Sequence, residues 1–201
     1  MTGDGNWIVN RRIRHIEVAI LSALLCWAPD ATPALAQQSA TEDQVKAAFL
    51  FNFAKFIEWP AEVFDKADSS MIFCTAGNSP VVDELDSTIQ GKTVNGHIIA
   101  VRHLREPEEI KGCHLVFLAA SAGRQQQQRL LQAAKGSPVL LVAEISGFAR
   151  AGGAINFLLE NGRVIFEVNI RAAESAHLKI SSKLLALARI VATSVDSQAQ
   201  R

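Results

Sequence analysis

The chain has 201 residues, with 20 lysines and arginines against 20 aspartates and glutamates, so its formal net charge is zero. That balance disfavours a general nucleic-acid binder, which needs a basic surface to release counterions, and equally an acidic solvating tail. An apolar fraction of 49% with only 6 prolines and 12 glycines excludes disordered, collagen-like and low-complexity readings, and the length fits one domain.

The first residues read as a leader. Arg11, Arg12 and Arg14 form a basic region, the apolar run from Val18 to Ala28 follows, and Pro33-Ala34-Leu35-Ala36 ends in a small-x-small site before Gln37. This is the order of a secretory signal peptide over residues 1–36. The apolar run is shorter than the roughly 20 residues that span a bilayer, although an uncleaved anchor is the alternative. Residues 37–201 then form the single mature domain. Its net charge is still zero, because the three arginines leave together with Asp4, Glu17 and Asp30. Such a domain buries roughly 70% of its unfolded surface and needs no staples to fold.

Cys26 leaves with the leader, so Cys74 and Cys113 remain. An even pair in an exported protein favours a disulfide; two buried thiols are the alternative. Zinc needs about four ligands at short spacing, and the sequence supplies no such set.

Thr41-Glu42-Asp43-Gln44 is a capping box. After it, Val45, Ala48, Phe49, Phe53 and Phe56 recur at helical spacing, and Pro60 predicts a helix end at Glu58–Trp59. Ser70–Ala76 is a continuous apolar run, the pattern of a buried parallel strand. Gly77-Asn78-Ser79-Pro80 turns into a helix with Val81, Val82, Leu85 and Ile89 on one side. Ile98–Arg102 reads as a second strand, Pro107–Ile110 as a helical turn, and Cys113–Ala119 as a third strand. Ser121 is expected to cap a helix through Lys135, with Gly136 just past its end. Pro138–Ala143 is a fourth strand. Ile155–Glu160 and Arg163–Asn169 flank Asn161-Gly162, a strong hairpin signal. Ile170–His177 and Ser181–Val191 look helical. The fold class is therefore α/β: a three-layer sandwich with a mainly parallel sheet of about four strands and an appended antiparallel hairpin.

Catalytic patterns are missing. The Gly77–Pro80 loop lacks the spacing of a dinucleotide fingerprint or a P-loop. His15, His97, His103, His114 and His177 form no metal-type pair; His97 and His103 share a strand face but sit roughly 20 Å apart by strand rise. No serine or cysteine stands in a nucleophile motif. No catalytic residue, metal or cofactor is expected. Gly147-Phe148-Ala149-Arg150-Ala151-Gly152-Gly153 is a partly apolar loop that either shapes a partner or ligand site or simply reverses the chain.

Several segments together resemble the YfiR family. They are Val45–Pro60, Gly91–Gly96, Cys113–Leu118, Gly147-Phe148 with Gly152–Phe157, Arg163–Asn169, and Leu178–Ala188. The resemblance implies a periplasmic protein that represses an inner-membrane diguanylate cyclase by binding its periplasmic sensor domain, lowering cyclic di-GMP and biofilm formation. It further implies an outer-membrane, peptidoglycan-binding lipoprotein that draws the repressor away. Some members carry a second cysteine pair near the hairpin; this chain has none there, which puts redox sensing through that pair in doubt. A periplasmic small-molecule binding module is the rival reading, and a homodimer is a further option. For the partner surface, Ile170, Ala173 and Leu178 are expected to leave an apolar patch, with Phe148 as a further candidate. The alternative is that Ile170 and Leu178 pack under the last helix.

Overall fold

A computed structural model describes residues 40–64, 66 and 69–193. The leader expected over residues 1–36 lies outside them.

Helix α1 (Glu42–Phe56) starts as its sequence dictates. The Thr41 N–H donates to Gln44 Oε1 (3.1 Å), and the Gln44 N–H donates to Thr41 Oγ1 (3.3 Å). The expected apolar stripe is rotated, however: Ala47, Leu50, Phe53 and Ala54 are buried, whereas Ala48 is exposed. The helix also stops earlier than Pro60 alone requires. Ile57–Glu58 turns extended as strand β1 and pairs antiparallel with β9 (Lys179–Ile180), and the Ser181 N–H donates to the Phe56 carbonyl. A tertiary partner ends the helix here.

The remaining elements alternate. Strand β2 (Met71–Ala76) leads to α2 (Pro80–Ile89), then to a short edge strand β3 (Thr93–Val94) and to β4 (His97–Leu104). A 3-10 turn at Pro107–Ile110 precedes β5 (Leu115–Leu118). A further 3-10 turn (Ala120–Ala122) and α3 (Gly123–Ala133) lead to β6 (Leu140–Ala143). The hairpin is β7 (Ile155–Glu160) and β8 (Arg163–Val168). After it come α4 (Ile170–Ser175), β9, α5 (Ser182–Leu185) and β10 (Arg189–Ile190).

Eight strands form one sheet in the order β10-β8-β7-β6-β5-β2-β4-β3. The run from β4 to β7 is parallel, and antiparallel pairs occur at β7–β8 and β3–β4. The α/β sandwich and the hairpin are as the sequence predicts, and the strand count is larger. Asn161 and Gly162 both take positive φ (51° and 72°), as the two-residue hairpin turn requires. The extra strands are β3 and β10 at the edges and the small β1–β9 ladder. The helix expected over Ser181–Val191 is instead the single turn α5 followed by β10, because Arg189 and Ile190 add in parallel to Glu167 and Val168 of β8.

Two cores hold the layers. On one face α1, α2 and the α4–α5 segment cover Phe73, Leu115, Phe117, Ile155, Phe157, Phe166 and Val168. Phe49 and Phe53 meet Phe157 and Phe166 ring to ring, with centroids 5.0–6.2 Å apart. On the other face Leu130 and Ala134 join Cys74, Val116, Leu118, Leu141 and Phe148. A fully buried phenylalanine contributes roughly 1.5–3 kcal/mol by burial alone.

Candidate interaction surface

In an open α/β sheet, ligands bind where successive helices leave to opposite faces, outside the carboxyl ends of the strands. Here that point lies between β2 and β5, since α2 covers the first core and α3 the second. It is closed. Ser121 Oγ donates to the Asn78 carbonyl (2.8 Å) and accepts from the Asn78 N–H (2.8 Å), bridging the two loops. A Cβ at Gly77 would lie 2.9 Å from Ser121 Oγ and 3.1 Å from the Ala122 nitrogen, so glycine lets the loops meet. Ser121 therefore ties two loops together and does not cap α3 as expected; the N-cap residue is Ala122, with no side-chain bond. Next to this point, Glu144 at the end of β6 accepts from the Ala120 N–H (3.1 Å) and pairs with Lys46 (2.9 Å), which also pairs with Glu42. Both the Lys46 and Glu144 side chains are nearly buried. Burial pulls the Lys46 ammonium down, but its bonds to Glu42 and Glu144 outweigh that and raise it above the ordinary lysine value.

The Gly147–Gly153 loop is structural. Phe148 is fully buried in the second core. Gly147 and Gly152 have φ of +80° and +111°, and a Cβ at Gly153 would lie 2.1 Å from the Phe148 ring. Two buried asparagines hold the loop. Asn156 Oδ1 accepts from the Phe148 N–H (3.1 Å) while its amide donates to the Ala143 and Phe157 carbonyls. Asn169 donates to the Ala149 carbonyl (2.8 Å) and caps α4 by accepting from the Ala172 N–H.

The patch expected over Ile170–Leu178 is not on the surface. Ala173 and Leu178 are buried, and Ile170 is half-buried against the same core as α1. The packing alternative holds for them, because the Leu178 N–H closes back onto the Ala173 carbonyl (2.9 Å) and turns the side chain under α4. With Phe148 also buried, Ile170 alone of these four side chains keeps partial exposure.

Exposed apolar surface lies elsewhere. Four large apolar side chains are exposed among the described residues: Ile98, Leu159, Leu187 and Ile190. Leu159 lies on the hairpin, Ile190 on the strand beside it, and Leu187 in the connection that leads into that strand. Leu159 is 54% exposed near the hairpin tip, Leu187 is 71% exposed before β10, and Ile190 is 49% exposed on β10. Strand β10 ends the sheet, with no strand beyond it among the described residues. Arg189 clamps Glu160 with two bonds of 2.7 and 2.9 Å across the hairpin. That pair holds the Glu160 carboxyl below the usual range. Pairing along the sequence missed this edge, because the Leu184–Val191 pattern reads as one helical face. The signal that could have found it is Leu187, which falls outside the inward set of that face.

Cys74 and Cys113 form a disulfide, with Cα atoms 5.8 Å apart, between β2 and the start of β5. One Arg102 nitrogen lies 3.0 Å from Cys113 Sγ and also donates to the Lys111 and Glu109 carbonyls. Trp59 is half-buried. It anchors the segment after α1, through an indole N–H donated to the His114 carbonyl (3.2 Å). No group of three or more histidine, cysteine, aspartate or glutamate side chains is placed to hold a metal among the described residues. Nor is any helix there long and apolar enough to cross a membrane.

The sequence model of a family described as YfiR/HmsC-like matches residues 43–189. The chain belongs to the YfiR/HmsC-like family. The match runs from α1 to β10, so it takes in both cores, the disulfide, the Phe148 loop and the sheet edge. The family is periplasmic and regulatory, and at that coarse level it links the chain to the control of diguanylate cyclase output.

Proposed function

We propose that this chain is an exported repressor that binds the periplasmic sensor domain of an inner-membrane diguanylate cyclase and so lowers cyclic di-GMP and biofilm formation. The observation that carries the reading is the family match over residues 43–189, and the surface assigned to it is the sheet edge at Leu187 and Ile190, three residues apart and both exposed. Binding energy alone suffices for repression if the sensor domain's inactive arrangement presents the better surface. An outer-membrane, peptidoglycan-binding lipoprotein would relieve repression by competing for the repressor. The test pairs Leu187→Asp with Ile190→Asp in a strain that carries the cyclase. Cyclic di-GMP should rise to the level of a strain lacking the repressor, with secretion and melting temperature unchanged. A folded variant that represses normally would sink this surface.

A binding-module reading is favoured by one observation. A groove of about 360 Å³ lies between α3 and α4, with Leu131, Val139 and Leu141 beside Lys135 and Arg171. A periplasmic metabolite that raises the melting temperature in proportion to the logarithm of its concentration would support it.

A further inference from the structure

At the amino ends of the parallel strands, three rings stack. Phe64 lies between His97, with centroids 4.0 Å apart and planes at 11°, and His114, at 4.7 Å and 17°. His97 opens β4, and His114 stands just before β5. Phe64 follows the 3-10 turn Ala61–Val63 and belongs to the connection from α1 to β2.

Hydrogen bonds fix the protonation of both histidines. His114 Nδ1 accepts the Ile72 N–H at 3.0 Å, so its proton sits on Nε2. The His97 Nδ1–H donates to the Ser69 carbonyl at 2.7 Å. A proton added to His114 Nδ1 destroys the acceptor that Ile72 uses. His114 is also a hub: its carbonyl receives the Trp59 indole N–H and the Leu140 N–H.

We propose that the His97–Phe64–His114 stack is an acid-opened clasp, in which protonation of His114 releases Trp59–Phe64 from the base of the sheet while the rest of the fold stays closed. The proton goes to Nδ1, the Ile72 N–H loses its acceptor, and a buried cation then stands beside the Phe64 ring with no hydrogen-bond partner on Nε2. The charged side chains around His114 are Glu62 from the 3-10 turn and Glu108 and Lys111 from the segment before Cys113. Ala133, Ser137, Pro138 and Val139, from α3 and the approach to β6, bring no charge. The Lys66 N–H donates to Ser69 Oγ (2.9 Å), on the residue whose carbonyl His97 uses. Burial lowers the His114 value below that of an ordinary histidine, the Val63 carbonyl opposes this, and charge on His97 lowers it further. A histidine depressed in the folded state leaves stability intact above its unfolded value of about 6.5, and stability falls as the pH drops from there towards the folded value. The clasp thus adds a response to external acidity that the partner-binding reading does not contain.

The test is NMR titration of the full exported protein, following the His114 ring, the Ile72 amide and the Trp59 indole N–H. All three should move together, reversibly, with one midpoint below about 6.5, while amides of β7 and β8 stay fixed. His114→Asn, whose Oδ1 accepts the Ile72 N–H without titrating, should flatten the Ile72 and Trp59 responses. His97→Asn should move the midpoint to higher pH by removing a neighbouring charge. The proposal fails if His114 titrates while Ile72 and Trp59 stay put, or if their midpoint persists in His114→Asn. Should that variant not fold, an unshifted midpoint in His97→Asn overturns the coupling on its own.

Discussion

Gly153→Ala is the sharpest probe of how the second core is closed. The added methyl carbon would stand 2.1, 2.3 and 2.6 Å from three atoms of the Phe148 ring. Ordinary carbon contacts need about 3.5–4.0 Å, so the ring must retreat by roughly 1.5 Å. It has little room, being fully buried among Val116, Leu118, Leu130 and Leu141, with its own N–H held by Asn156. Overpacking of this kind costs about 1–3 kcal/mol, and the absence of a free direction places this case near 3. For a domain of this size, that lowers the melting temperature by roughly 6–12 °C. Phe148→Leu shortens the ring at the point of collision and by itself leaves a cavity that costs about 1–2 kcal/mol. Combined, the two changes should cost less than their sum by at least about 1 kcal/mol, the coupling expected of groups in contact. Urea unfolding of all four proteins measures the cycle. If Gly153→Ala unfolds within about 0.5 kcal/mol of wild type, or if the double variant is additive, the ring does not need that glycine and the reasoning is wrong.

Replacing both Cys74 and Cys113 with alanine opens a loop with a sequence separation of 39 residues; the chain-entropy model sets the loss near 4 kcal/mol, read by denaturant midpoint, and thiol titration of the denatured, non-reduced protein should find neither cysteine free. Lys46→Met removes the cation between Glu42 and Glu144 and should cost about 1.5–3 kcal/mol, the range for hydrogen bonds to charged groups, whereas the exposed Glu160–Arg189 pair should give a far smaller loss on Glu160→Gln. Gly162→Val forces a β-branched side chain onto a φ of +72° at the hairpin tip and should destabilise by at least 1 kcal/mol, with hydrogen exchange quickening first in β7 and β8.

Much of the fold is legible because local signals agree with tertiary ones. The Thr41–Gln44 box starts α1, the apolar runs at Met71, Leu115 and Leu140 lie in the centre of the sheet, and Asn161-Gly162 turns the hairpin. The illegible parts are those decided by a distant partner. Strand β1 exists because Lys179 and Ile180 lie beside it, and β10 because β8 has an open side; two-residue ladders leave no periodicity to detect. The same holds for the site. Ile170, Ala173 and Leu178 look like a surplus of apolar residues on a short helix. The surplus is absorbed because α4 packs on the same core as α1, which the segment alone does not reveal. Ser121 resembles a helix cap for the same reason: its true partner, Asn78, is 43 residues away.

The most direct test of the proposed regulatory role is calorimetric titration of the purified protein into the isolated periplasmic sensor domain of the cyclase that the proposal names as partner, with wild type and the Leu187→Asp, Ile190→Asp variant compared at two temperatures. The account predicts saturable binding by wild type with a negative heat-capacity change, the mark of apolar surface leaving water, and at least a tenfold weaker affinity for the variant, about 1.4 kcal/mol. No measurable heat or complex with the wild type, or equal affinity for a folded variant, would contradict it.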